Sequence, residues 1–482
     1  MTLRRHDVAL APQNERVILR PFIPTDANRI EAIIARVLAL SDEKVQSDLA
    51  AVIKEFSSRH LDIEPRLLDD YDMVAALVAR PRSLSRARKL LLGALFTGEY
   101  SIESAALFNP SMVPHPDQSG AHIGELRFIM SLRATGEGHV SSIEFRSGCI
   151  ETGGGINLDP LSRFVSTPQI DPDPCYNKMT FVVTLRDMGC ENDHSIALLQ
   201  QLQENFTRSE LNRCVHRCRR ENRPVPQDLG ETLQRILWIA DSNYEIHFPP
   251  ESSTGERVIF PVSANESKGL EDARFVRFTD IDGTVMYYAT YTAYNGHAIL
   301  PQFIETKDFL SFRVRTLNGK AVRNKGMALF PRRINGQYAM LSRQDDENLF
   351  IMFSDLPFQW ADPRVLMRPA ETWESVKIGN CGSPLETDAG WLVLTHGVGP
   401  MRKYCIGAAL LDLHDPSRVI GRLREPLIAP DEAGREGYVP NVVYSCGALI
   451  HDGELILPFA MSDRVTTIAS VPMDELLGAL MA

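Results

Sequence analysis

From about residue 100 onward, short apolar runs alternate with polar positions and turn over at Asp-Gly and Asn-Gly dipeptides. The stretch Gly269-Leu270-Glu271-Asp272-Ala273-Arg274-Phe275-Val276-Arg277-Phe278 shows the plan best. Two adjacent carboxylates and an arginine open a strand-like run, Asp282-Gly283 turns it, and a second run from Val285 ends in Tyr291-Thr292-Ala293-Tyr294-Asn295. Asp-Gly between two such runs predicts a β-hairpin, because a type I′ turn needs positive φ at both central residues.

The plan recurs. Asn109-Pro110-Ser111-Met112-Val113 leads to Arg133, and Asn324-Lys325 leads through Asn335-Gly336 to Arg343. Asn380 leads through Asp388-Ala389-Gly390 to His396, and Asn441 through Asp452-Gly453 to Asp463. In the last four units the second strands begin about 50 to 65 residues apart. Five antiparallel units of this size predict a mainly β fold, a five-bladed β-propeller. The first strand of each blade would line a central channel. Asn109, Asp272, Lys325, Asn380 and Asn441 would then converge at one mouth, with Arg133, Arg343, His396 and Asp463 close behind. Polar residues that merely flank turns would share no such destination.

Residues 1–98 have a helical texture and are expected to form an N-terminal extension ahead of a propeller domain spanning 99–482. Thr25-Asp26 precedes the helically spaced Ile30, Ile33, Ile34, Val37 and Leu38. Ser41 can cap a second helix, with Asp42 and Glu43 in its first turn, where the helix dipole favours acids. Two further helices are expected at Arg66 to Ala79 and Leu84 to Phe96, separated by Pro81. This layer suits packing, or contacts between copies of the chain in a homo-oligomer. Helical texture returns over about 191–240, where Thr207-Arg208-Ser209-Glu210 fits a capping box. That insertion accounts for the long gap between the first two units, and Arg213 to Arg220 is read as its solvated face.

Composition narrows the partners. The chain has 482 residues, 44% hydrophobic and 23% charged, as in a soluble globular protein of two or three structural units. A net charge of −11 argues against a nucleic-acid or acidic-membrane partner, either of which would want a basic face. The eight cysteines are scattered; only Cys214 and Cys218 lie close, and no second pair completes a zinc site. Reduced thiols, no metal and no cofactor are therefore expected. Met1 to Pro12 has no apolar core of a signal peptide, and Leu90 to Phe96 is too short to span a membrane, so a cytoplasmic protein is expected.

Several segments carry a family resemblance: Gly269 to Arg274, Asn324-Lys325-Gly326-Met327-Ala328-Leu329-Phe330-Pro331 and Trp373-Glu374-Ser375-Val376-Lys377-Ile378-Gly379. With them stand Thr395-His396-Gly397-Val398, Asp415-Pro416-Ser417-Arg418-Val419-Ile420-Gly421-Arg422 and Val439-Pro440-Asn441-Val442-Val443. Over roughly 100–150 and 255–480 the chain resembles glycoside hydrolase family 130, β-mannoside phosphorylases and some β-mannosidases on a five-bladed propeller. Ala273 stands where that family is expected to have proline.

The resemblance implies that Asp272 is the general acid, acting through the mannosyl 3-hydroxyl. It implies that Asn109, Arg133 and Asp463 hold the non-reducing mannosyl unit, and it places Lys325, Arg343, His396 and Tyr404 near phosphate or the neighbouring sugar. Glu271, Arg274, Tyr294, Asn324 and Asn380 complete the expected sugar-binding set. Inverting cleavage needs an acid for the leaving oxygen and a nucleophile on the opposite face. A hydrolase needs a second carboxylate to activate water, for which Glu386, Glu436 and Asp431 are the candidates. A phosphorylase needs instead a cationic clamp around an anionic nucleophile, inorganic phosphate as co-substrate. One conspicuous channel acid among several cations favours phosphate. Asn295-Gly296-His297 stands where an arginine is expected in phosphorylases, and His297 or Arg323 is the candidate substitute. A non-catalytic sugar-binding propeller is the third reading, disfavoured because a binding site has little need for an acid set between Glu271 and Arg274.

Overall fold

After residue 100 antiparallel strands recur along the chain in the computed structural model, which describes residues 1–77, 83–432 and 435–482. The expected helix end at Ala79 and the break at Pro81 lie outside the described residues. Five strand groups follow one another. The first comprises Ala106–Pro114, Leu126–Thr135 and Ser141–Ile150; the second Gly269–Thr279, Val285–Tyr294, Ile299–Thr306 and Ser311–Thr316. Ala328–Leu329, Tyr338–Ser342, Leu349–Ser354 and Arg364–Met367 form the third; Lys377–Asn380, Gly390–Val398, Tyr404–Leu411 and Val419–Arg422 the fourth. Val443–Tyr444, Glu454–Met461 and Val465–Pro472 begin the fifth. A parallel contact between Gly269 and Ser141 joins the first two groups into one 11-stranded sheet.

The groups pack face to face in sequence. Phe145 of the first meets Phe275 of the second, Phe278 and Phe303 meet Met340 and Met352 of the third, and Leu341 and Ile351 meet Trp391 and Val393 of the fourth. Leu394 then meets Leu457 and Phe459 of the fifth, whose Ile456 and Ile468 pack on Met130 and Leu132 of the first. The first strands all run the same way. They begin at a cavity lined by Asn109, Asp272, Asn324 and Lys325, and end at a second one lined by Val113, Phe275, Pro331, Leu385 and Ala448.

The N-terminal segment departs from the helical expectation. Arg4–Leu10 is a strand paired antiparallel with Val465–Pro472, so it becomes the edge of the fifth sheet. Val17–Pro21 pairs with Thr97–Ser101 on either side of the helices. The partners lie tens to hundreds of residues away, so no local periodicity announces the pairing, and the charged Arg4, Arg5, His6 and Asp7 suit an exposed edge. Between these strands run α1 (Ala27–Leu38), α2 (Asp42–Phe56), α3 (Ile63–Leu77) and α4 (Arg86–Leu95). Asp26 and Ser41 cap α1 and α2 as expected, accepting from the amides of Asn28 and Lys44.

The insertion is also larger than read. It contains α5 (Lys178–Asp187), α6 (Asp193–Gln200), α7 (Arg208–Glu221) and α8 (Gln227–Asp241) around Phe181, Leu211, Leu233 and Ile236. β-Branched residues hide α5, whose Thr184 hydroxyl satisfies itself on the Thr180 carbonyl. The Thr207–Glu210 capping box is present on α7. A last helix, α9 (Met473–Met481), closes the chain, and no described helix is long and apolar enough to cross a membrane.

Candidate active site

Asn109, Asp272 and Asn324 sit at equivalent places, and each adopts a left-handed backbone, with φ of 51°, 55° and 63°. Asparagine and aspartate tolerate that region best among residues with a side chain. The pairing register breaks between Phe108 and Ser111 and between Glu271 and Arg274. A bulge of this kind re-aims a side chain out of the sheet, here into a cavity of about 500 Å³. Gly269 makes the approach possible: its φ is 132°, and a Cβ there would lie 2.5 Å from the Ser141 amide nitrogen.

That close contact brings the first group's arginine to the second group's acids. Arg133 Nε donates to Ser141 Oγ at 2.9 Å, Nη2 to Glu271 Oε1 at 2.7 Å and Nη1 to Asp272 Oδ1 at 3.2 Å. Asn109 Nδ2 donates to the same Asp272 Oδ1 at 2.6 Å, and Lys325 Nζ reaches Glu271 Oε2 at 2.5 Å. Burial pushes the Asp272 carboxyl up, but Arg133, Arg274, Lys325 and the Asn109 amide outweigh it and hold it at about 2. Asp463 lines the same cavity under opposite control. Burial, then the charge of Asp272, push it up to about 7 against the pull of Arg133 and Arg402.

On the other groups, Arg343, His396 and Tyr404 also line the cavity, with Lys377 and Asp346. His396 is 2% exposed and packs in a cluster with the rings of Tyr404 and Tyr444. Its ring rests on Gly379, where a Cβ would come within 2.4 Å of it. Burial and the charges of Arg343, Arg274 and Lys377 push His396 well below the ordinary histidine range, so it is neutral. Nδ1 faces the Asn380 carbonyl at 3.3 Å and is the protonated nitrogen, which leaves Nε2 as an acceptor. His396 is therefore no cation of a clamp. Arg343 Nε and His396 Nε2 are both buried without a hydrogen-bond partner.

Ten expected residues thus meet in one cavity: Asn109, Arg133, Glu271, Asp272, Asn324, Lys325, Arg343, His396, Tyr404 and Asp463. Four do not line it. Arg274 is buried beneath, donating to the Asp272 carbonyl and to the Tyr444 hydroxyl, both at 2.9 Å. Asn380 lacks the left-handed turn of its counterparts, and its amide donates inward to the Gly382 carbonyl. Tyr294 donates to the Gly296 carbonyl. Asn441 is left-handed too, at φ 61°, but is not among the lining residues.

The candidate water-activating bases lie elsewhere. Glu386 lines the second cavity and is gripped by Arg332, Asp431 pairs with Arg5, and Glu436 is exposed away from the lining. Neither His297 nor Arg323 reaches the site, and Arg323 bonds the Lys320 carbonyl. The added cations are Lys377 and Arg402. Lys377 sits in the family-like segment Trp373–Gly379, which is the signal that marks it; Arg402, beside the left-handed Met401, has none. Among the described residues, one group of metal-ligand type is found, Asp171, Glu245 and His247, on a sheet edge outside this cavity. There Arg313 already holds Glu245 at 2.7 Å.

A family model described as β-1,4-mannooligosaccharide phosphorylase matches residues 230–481. A 1,2-β-oligomannan phosphorylase of Thermoanaerobacter sp. (strain X514) is 35% identical over 226 residues, 45% of this chain and 74% of that protein. A β-1,2-mannobiose phosphorylase of the same organism is 38% identical over 198 residues, covering 38% and 60%. A solved structure of a β-1,2-mannobiose phosphorylase from Listeria innocua, in complex with β-1,2-mannobiose, aligns with 79% of this chain and 93% of its own, at 20% identity and a TM-score of 0.46. With the family match covering residues 230–481 of 482, the chain belongs to glycoside hydrolase family 130.

Proposed function

We propose that this protein cleaves β-mannosides with inversion by phosphorolysis, releasing α-mannose 1-phosphate. In this reading the five mutually packed strand groups are the blades of a propeller, whose channel opens at the charged cavity. The N-terminal helices and α5–α8 stand outside the blades. Eight free cysteines favour a cytoplasmic setting.

The observation that carries the reading is the gathering of Lys325, Arg343 and Lys377 with His396 in one cavity, where Arg343 Nε and His396 Nε2 are buried without a hydrogen-bond partner. Glu271 is held by Arg133 and Lys325, Asp346 stands beside Arg343 and Lys377, and burial with the charge of Asp272 pushes Asp463 up to about 7, which weakens the case for a water-activating base opposite Asp272. Asp272 supplies the proton, passed through the mannosyl 3-hydroxyl to the leaving oxygen. Asn109, Arg133 and Asp463 hold the mannosyl ring; Glu271 and Arg274 position Arg133, Lys325 and the acid's backbone. Arg343, Lys377 and Lys325 hold phosphate, while Tyr404 packs on His396. No metal or organic cofactor takes part.

Protonation fits the order of binding. In the free enzyme Asp272 is ionised at neutral pH, being held at about 2. An arriving dianion opposes the cations that keep it so, and raises its proton affinity. The overall balance is mannoside plus hydrogenphosphate giving mannose 1-phosphate dianion plus the free acceptor, so the proton that leaves on the acceptor is the one phosphate brought.

Because the sugar phosphate keeps an activated bond, the reaction should run in reverse. Incubation with α-mannose 1-phosphate and mannose or short mannosides should release phosphate and build a β-mannosidic bond, β-1,2 or β-1,4, as read by product linkage. Absence of phosphate release with every acceptor would reject the proposal.

A further inference from the structure

Asp346 lines the cavity, and no role for it follows from the chemistry so far. It sits at the tip of the loop between Tyr338–Ser342 and Leu349–Ser354, in a left-handed conformation (φ 62°), with 61% of its side chain exposed. The loop is fixed from within: Asp345 accepts from the amides of Glu347 and Asn348 at 3.0 and 2.8 Å and from Asn348 Nδ2 at 2.5 Å. The tip is therefore held over the cavity. Its Oδ1 lies 3.4 Å from Arg343 Nε and 3.5 Å from Lys377 Nζ. Charge-assisted contacts normally close to about 2.7–2.9 Å, so this carboxylate pairs only loosely with both cations, Lys377 Nζ donating to it at the long end of the range. With His396 Nε2 it gives the anion site two acceptors beside its cations.

Cations alone take any dianion of the right size. Facing acceptors change that, because a lone pair set against a lone pair is an unpaired contact, whereas a P–OH group turns it into a hydrogen bond. We propose that Asp346 makes the site selective for an anion that carries a proton, inorganic phosphate, over the aprotic anion of the same shape, sulfate. The proposal rests on the reading of this cavity as a phosphate site, and it adds a specificity residue to that site.

The test is binding without turnover. Affinities for phosphate and for sulfate are measured by titration calorimetry at neutral pH, with no sugar, on the wild-type enzyme and on Asp346→Asn. Asparagine keeps the size and the tolerance of left-handed backbone but replaces one acceptor with a donor. The wild type should prefer phosphate by about tenfold or more, and Asp346→Asn should close that ratio about tenfold, chiefly by binding sulfate more tightly. An unchanged ratio overturns the proposal. So does loss of both anions with unchanged melting, which would make Asp346 a part of the loop rather than a filter. Failure of the phosphorolysis reading looks different: cleavage would proceed without phosphate, whatever the anion ratio shows.

Discussion

In the proposed reaction Asp272 stays ionised among cations and then gives a proton at the moment of cleavage. Its Oδ1 takes both the Asn109 and the Arg133 contacts, and neither hydrogen bond reaches its other oxygen. Asp272→Asn keeps the shape and removes the proton. Turnover should fall by ~10²–10⁴, the scale of general acid catalysis, in protein that still folds. Steady-state rates that retain more than about a tenth of wild-type turnover would remove Asp272 from this role. At this scale the sequence was most informative where chemistry demanded an unusual backbone. Asn or Asp at the head of a strand was the visible mark of Asn109, Asp272 and Asn324. It misled at Asn380, which is the same residue type without the left-handed turn. It was silent at Arg402, whose loop has no repeat to place it. His396 was legible as a site residue but not as a neutral one, because its charge is set by burial and by Arg343, which only the folded chain brings together.

The element that sequence periodicity misplaced is the N-terminal segment, and its anchoring gives the next test. Arg16 is 1% exposed, between the strand Arg4–Leu10 and the helices. Its Nε lies 2.7 Å from Glu103 and its Nη2 2.8 Å from Glu144, and Arg146 pairs with the same two acids. Burial, then the charge of Glu144, push Glu103 up to about 8. Removing one member of such a cluster leaves buried charge without its partner, which costs about 3–5 kcal/mol. Arg16→Met should therefore lower unfolding free energy by about that amount in urea titrations. A change under about 1 kcal/mol would mean that the segment is an appendage, not a part of the first sheet's body. Helices α1, α2 and α7 were legible because their caps are local: Asp26, Ser41 and Thr207 act on amides two or three residues away. The pairing of Arg4–Leu10 with Val465–Pro472 was not, since nothing near either strand encodes its distant partner.

Over the whole molecule, the repeated strand–turn–strand plan places polar heads at one end of five parallel-running first strands and apolar tails at the other. The tails line the second cavity, where Glu386 is tied to Arg332, so the two ends are chemically distinct. The first end collects Asp272, Asp463 and the cations Arg133, Lys325, Arg343 and Lys377, to which the proposed reaction assigns the proton, the mannosyl unit and phosphate. In the proposed reaction the nucleophile at that end is phosphate and not water. The direct measurement is to incubate the wild-type enzyme with β-1,2- and β-1,4-linked mannosides, with and without inorganic phosphate, and to identify the sugar released. The expected product is α-mannose 1-phosphate, formed only when phosphate is present, with the anomeric configuration inverted. Free mannose formed at the same rate without phosphate would contradict it.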